Sequence, residues 1–150
     1  MKSAGSMIEW SPAFETGIDE IDEQHRILVH TLNEASVKLS HECLREVADQ
    51  ITQDLLAYAL YHFETEEHLM LQYGYPDQAM AEAELHQEQH RSFSVRVLAI
   101  REDINAGAPI EPSQLVTFLN EWLVNHILNT DKKLGAFILS KRASQADGAV

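Results

Sequence analysis

Eight histidines occur among the 150 residues, and their spacing from one another and from acidic residues is the chemically suggestive feature of the chain. His62 stands four residues before Glu66, His86 four before His90, and His126 five before Asp131, with His25 further upstream. Imidazole nitrogens and carboxylate oxygens are the donors that middle and late first-row metal ions accept, and two residues four apart on a helix present their donors to one point. No single pair carries the case. In a chain of this composition chance supplies about 0.4 His-x-x-x-His pairs and about 1.3 His-x-x-x-acid pairs.

Competing motifs fail on individual letters. His86-Gln87-Glu88-Gln89-His90 has glutamine where a zinc protease needs its general-base glutamate. The residues three before His25, His62, His86, His90 and His126 are Asp22, Ala59, Ala83, Gln87 and Leu123, so the Glu-x-x-His signature of carboxylate-rich di-iron bundles is absent. A histidine-rich, carboxylate-poor set suits a redox-active first-row metal such as iron and disfavours magnesium and calcium.

Apolar residues recur at helical spacing through four segments, residues 19–39, a second capped by Ser40 and running to Tyr73, 77–104 and 113–141. Gly74-Tyr75-Pro76 and Asn105-Ala106-Gly107-Ala108-Pro109 punctuate the last two breaks. No segment alternates with period two. Short connections force neighbouring helices antiparallel, so the expected fold is all-α: an up-down-up-down four-helix bundle. A non-helical arm (1–18) precedes the bundle (19–141) and a frayed polar tail (142–150) follows it, all in one domain.

Turning each segment by about 100° per residue sorts the histidines. His25 falls in line with Ile21, Leu28 and Leu32; His62 and Glu66 with Leu55 and Leu69; His86 and His90 with Ala83 and Phe93; His126 with Leu119 and Trp122. His30, His41 and His68 fall off these stripes. A carboxylate and five imidazoles inside one core are costly without a cation. Asp131 joins them only if the fourth helix is irregular, because five α-helical residues leave it about 140° from His126. A π-type turn between the two, which also realigns Leu134 and Ile138, is therefore expected.

Composition narrows the partners. Eleven basic against 24 acidic residues give a net charge of −13, which repels nucleic acid and anionic membrane surfaces. One cysteine, Cys43, excludes an internal disulfide and reads as a packing residue; no apolar leader or membrane span stands out, so a cytoplasmic location is expected.

The motifs Ile21-Asp22-Glu23-Gln24-His25, His62-Phe63-x-x-Glu66-Glu67, His86-x-x-x-His90 with Phe93, and Trp122-Leu123-x-x-His126-Ile127-x-x-x-Asp131 closely resemble the hemerythrin family, in particular its single-domain bacterial members. The resemblance covers nearly the whole chain and fills every metal position. It implies two iron ions joined by an oxo or hydroxo bridge, with His25 and His62 on one, His86, His90 and His126 on the other, and Glu66 and Asp131 spanning both. Counting donors on two six-coordinate ions then leaves one position open, beside His25 and His62. Leu28, Phe63, Trp122, Leu123 and Ile127 are the expected wall of a dioxygen pocket there, with ordinary core packing as the alternative for each.

Reversible binding of dioxygen or another small diatomic ligand, for storage, delivery or sensing, is the leading expectation. A peroxidase, oxidase or nitric-oxide-consuming enzyme at the same iron is the alternative, and iron buffering or a protein-interaction module is a third reading. A monomer is expected, served by a separate reductase or oxygen-using partner. Tyr58 is read as core packing with its hydroxyl bonded elsewhere; Glu67, His68 and Met70 are placed on the surface or between helices, with Glu67 a candidate to orient a ligand histidine.

Overall fold

The computed structural model describes residues 7–41 and 45–148. An acidic first turn opens helix α1 (Asp19–His41), where Asp19, Glu20 and Asp22 complement the positive end of the helix dipole. Asp22 also anchors the arm: its carboxylate accepts from the Thr16 amide and hydroxyl, both at 2.8 Å, and from the Gly17 amide at 3.1 Å. Gly17 makes this turn at φ +89°, a conformation that costs only glycine little. Among the described residues of the arm, Pro12–Phe14 form a 3₁₀ turn, so it is not wholly irregular.

Helix α2 (Arg45–Tyr73) follows, then one turn, α3 (Tyr75–Gln78), and α4 (Met80–Asn105). The fourth rod is α5 (Pro112–Asn125), a π-helical segment (His126–Asp131) and α6 (Lys132–Gly148) in unbroken succession. Helix α1 packs on α2 and α5, α2 packs on α4, and α4 meets the π segment, closing the antiparallel four-helix bundle. Among the described residues there is no strand, and no helix is long and apolar enough to cross a membrane.

Three boundaries differ from expectation. Ser40 lies inside α1 rather than capping α2, and Cys43, read as a packing residue, lies outside the described residues. The third helix divides at Ala79 (φ −139°, ψ 59°), because Gly74 and Pro76 start a separate turn before it. The 142–148 segment is helical rather than frayed. No proline interrupts it, and Arg142 is tethered by its Nε donating to the Tyr73 hydroxyl at 3.0 Å.

Two apolar clusters fill the bundle, one around Leu28, Leu55, Phe63, Phe93 and Leu123, the other around Ile21, Leu69, Met70, Ala83 and Leu134. Met70, expected on the surface or between helices, takes the second place: it is fully buried in the cluster that also holds Tyr75 of α3. Along every rod the inward histidines stand between a residue of one cluster and a residue of the other. The arm crosses α6 at Gly135, where a Cβ would lie 2.7 Å from that of Thr16, so only glycine admits the strap.

Candidate metal centre

The π segment decides whether the fourth rod contributes one donor or two. Its wider turn brings residues five apart onto one face, and Asp131 accordingly lies fully buried with its Oδ1 3.0 Å from His126 Nε2. His25, His62, Glu66, His86, His90 and His126 are all buried beside it, while His30 sits exposed against Glu34 and His68 is exposed.

These seven residues fall into two overlapping groups: His25, His62, Glu66 and Asp131; and Glu66, His86, His90, His126 and Asp131. The two carboxylates belong to both. Glu66 turns Oε1 toward His86 (3.2 Å) and His90 (3.0 Å) and Oε2 toward His62 (3.4 Å). Asp131 turns Oδ1 toward His86 and His126, both at 3.0 Å, and Oδ2 toward His25 at 2.8 Å. Two donors about 2.1 Å from one ion and at right angles to each other lie about 3.0 Å apart. The observed separations match that spacing, as a donor set able to hold a metal ion would.

Hydrogen bonding accounts for only part of them: Glu66 Oε1 lies within hydrogen-bond reach of His86 and His90 Nε2. Glu66 Oε2, both Asp131 oxygens, and the Nε2 atoms of His25 and His62 are buried without a hydrogen-bond partner despite these short distances. Each such group costs about 1–3 kcal/mol if left so. His90 and His126 spend their Nδ1 protons elsewhere, on Glu67 at 2.9 Å and Gln89 at 2.7 Å, which leaves their Nε2 lone pairs facing each other at 3.2 Å. A metal ion, or a proton on one of the two nitrogens, relieves that opposition.

The titration behaviour says the same. Burial pushes the Glu66 carboxyl up, yet the neighbouring His62, His126 and His86 imidazoles outweigh it and hold the group well below the carboxylate range. Asp131 is likewise held down by His126 and His25 against its burial and the Glu66 charge. Burial opposes charging of His86, but Asp131 and Glu66 lift it to about 10; His126 is raised by the same two carboxylates. Without a metal, protons supply the positive charge that this geometry demands.

The family model for the hemerythrin HHE cation binding domain matches residues 16–138. The chain belongs to the hemerythrin family. A bacteriohemerythrin of Stenotrophomonas maltophilia is 34% identical over 130 residues, covering 85% of this chain and 78% of its own. One from Clostridium acetobutylicum is 29% identical over 131 residues, covering 85% and 98%. The crystal structure of a wild-type hemerythrin superposes with a TM-score of 0.79 at 25% identity, covering 89% of this chain and 98% of that one.

Two aromatic rings cover the three-histidine side of this hemerythrin centre. Phe63 stacks on His90 with centroids 3.9 Å apart and planes 10° apart, and Trp122 stacks on His126 at 4.5 Å and 14°. Of the five expected pocket residues, Leu28, Phe63, Trp122 and Leu123 line a wholly apolar cavity with Leu32, Leu55 and Phe93. Its volume of about 10 Å³ is about the space of one water-sized sphere. Ile127 is buried in the surrounding core but does not line the cavity.

Sequence reasoning missed Gln24 and Gln89. Gln24 accepts from His62 Nδ1 at 2.7 Å and donates to Thr65 at 3.1 Å; Gln89 accepts from His126 Nδ1 and from Thr130, both at 2.7 Å. A signal was present in the repeated Gln-His dipeptides at 24–25 and 89–90. A residue about 100° from a core-facing histidine lies at a helix–helix seam, where it reaches the next helix.

Proposed function

We propose that this hemerythrin binds dioxygen reversibly at a carboxylate-bridged pair of non-heme iron ions. The observation that carries this reading is the division of Glu66 and Asp131, each with one oxygen toward the two-histidine group and the other toward the three-histidine group. One carboxylate reaching two ways could be incidental; two doing so in parallel fit a pair of ions about one carboxylate apart. His25 and His62 would hold one ion, His86, His90 and His126 the other.

When bound, the pair supplies two electrons and one open coordination position, which the donor count assigns to the ion of His25 and His62. The protein's part is to orient the donors and keep water away. Gln24 fixes the tautomer and plane of His62, as Gln89 and Glu67 do for His126 and His90. The apolar cavity beside Phe63 offers a neutral diatomic a berth and holds no side chain able to give up a proton. Protonation followed by loss of a reduced oxygen species is the step that would make binding irreversible, so such a lining favours a carrier over an oxidase.

Metal analysis with visible spectra of the reduced protein, before and after air and then under vacuum, tests the reading. Two irons per chain and a coloured form that reverts without net peroxide are expected. Turnover of oxidised product, or rapid autoxidation, would assign the site to an enzyme instead.

A further inference from the structure

Around the bundle, the residue next to a metal-site donor on one helix supports a donor on the following helix. Gln24 beside His25 holds His62, Glu67 beside Glu66 holds His90, and Gln89 beside His90 holds His126, at 2.7, 2.9 and 2.7 Å. In all three an imidazole Nδ1–H donates to an sp² oxygen, so plane and tautomer are fixed alike. His25 and His86 have no hydrogen-bond partner at Nδ1. The supports differ in charge: Gln24 and Gln89 are neutral amides, and Glu67 is a carboxylate.

A carboxylate draws the Nδ1 proton toward itself and leaves more electron density on the opposite nitrogen, which then stabilises the more highly charged state of a bound ion. Glu67 has a side chain 41% exposed, so its direct Coulomb effect is screened by solvent; the hydrogen bond to His90, which is 3% exposed, is sheltered. Phe63 stacked face to face on the His90 ring keeps that bond aligned.

We infer that Glu67 is a positioning residue that sets the reduction potential of the centre, biasing the ion of the three-histidine group toward the ferric state while the amide at Gln24 leaves the other ion more readily ferrous. The inference rests on the di-iron reading above. It separates orientation, which an amide supplies equally well, from charge, which only Glu67 supplies.

The test is a spectroelectrochemical titration of the iron-loaded protein under nitrogen, with metal content measured on the same samples. Glu67→Gln keeps the hydrogen bond and the iron and should raise the midpoint potential. Gln89→Glu places a carboxylate behind His126 and should lower it. Glu67→Leu removes bond and charge together and should raise the potential and also weaken metal retention by about 10–100-fold. Unchanged potentials in Glu67→Gln and Gln89→Glu, with two irons retained, overturn the inference and leave the di-iron reading standing. A wild-type chain that holds other than two irons overturns both.

Discussion

If the π segment is one residue inserted into an α-helix, removing one residue from it should restore a regular helix without disturbing either end. Asn129 is the residue to delete: it is exposed, and its side chain reaches only the Asn125 carbonyl at 3.0 Å. In the shortened segment Asp131 follows His126 by four residues, about 40° away on the helical wheel rather than about 140°. Leu134 and Ile138, both fully buried, keep their phase relative to Asp131. The opposite change, an alanine inserted after Asn129, turns all three by about 100°. Exposing the two aliphatic side chains then costs about 3–6 kcal/mol at about 1.5–3 kcal/mol each. That is a large fraction of the 5–15 kcal/mol that holds a typical domain together, and for a chain of this size it corresponds to a melting temperature lower by roughly 6–24 °C. Circular dichroism melts of the metal-free proteins, with metal content after loading, measure both effects. The deletion should melt near the parent and load fully; the insertion should melt low and lose metal. A deletion variant that loses as much metal as the insertion would refute the phase argument.

Other outcomes follow from the same geometry. The metal-free protein should be most stable between about pH 4.5 and 6.5: the contribution of His86 is complete below its ordinary 6.5 and is lost as pH rises toward about 10, whereas those of Glu66 and Asp131 are complete above 4.5 and are lost on acidification. Chemical denaturation across pH would show a single maximum there, and a monotonic rise to pH 9 would contradict it. Because donors must shed protons to bind metal, acid should release iron from the loaded protein, read by metal analysis after desalting at each pH. Glu66→Ala removes a donor from both groups and should lose at least one iron, while His30→Ala, on the solvent face, should retain both. Gly135→Ala, where Thr16 leaves no room for a methyl, should cost about 1–3 kcal/mol by lifting the arm, seen as a lower denaturant midpoint.

The donors were readable because helical periodicity makes a strong statement about which side chains face inward. A polar residue in mid-stripe, such as Glu66 between Leu55 and Leu69, violates that statement, and only a cation resolves the violation. Even the π turn followed from conflicting phases on either side of it. Other features depended on contacts between helices. Met70 sits one position from the stripe on its own helix, and its full burial reflects a cluster drawn from several elements, Ile21, Tyr75, Ala83 and Leu134 among them. Ile127 lies in the π segment, where regular helical projection does not hold, and it is not among the residues that line the cavity. Ser40 resembled a cap because capping side chains and ordinary helical serines look alike until the helix end is known.

Gln24, Glu67 and Gln89 show why the bundle topology is part of the chemistry. Each lies next to a donor in sequence yet serves a donor on another helix, so its effect exists only when neighbouring rods stand in the right register. The apolar clusters on either side of the centre fix that register, since sliding a helix by one turn would misplace core residues in both. Packing above and below thus holds each imidazole at the angle its partner requires. The centre is then assembled before a metal arrives, apart from the protons that the metal displaces.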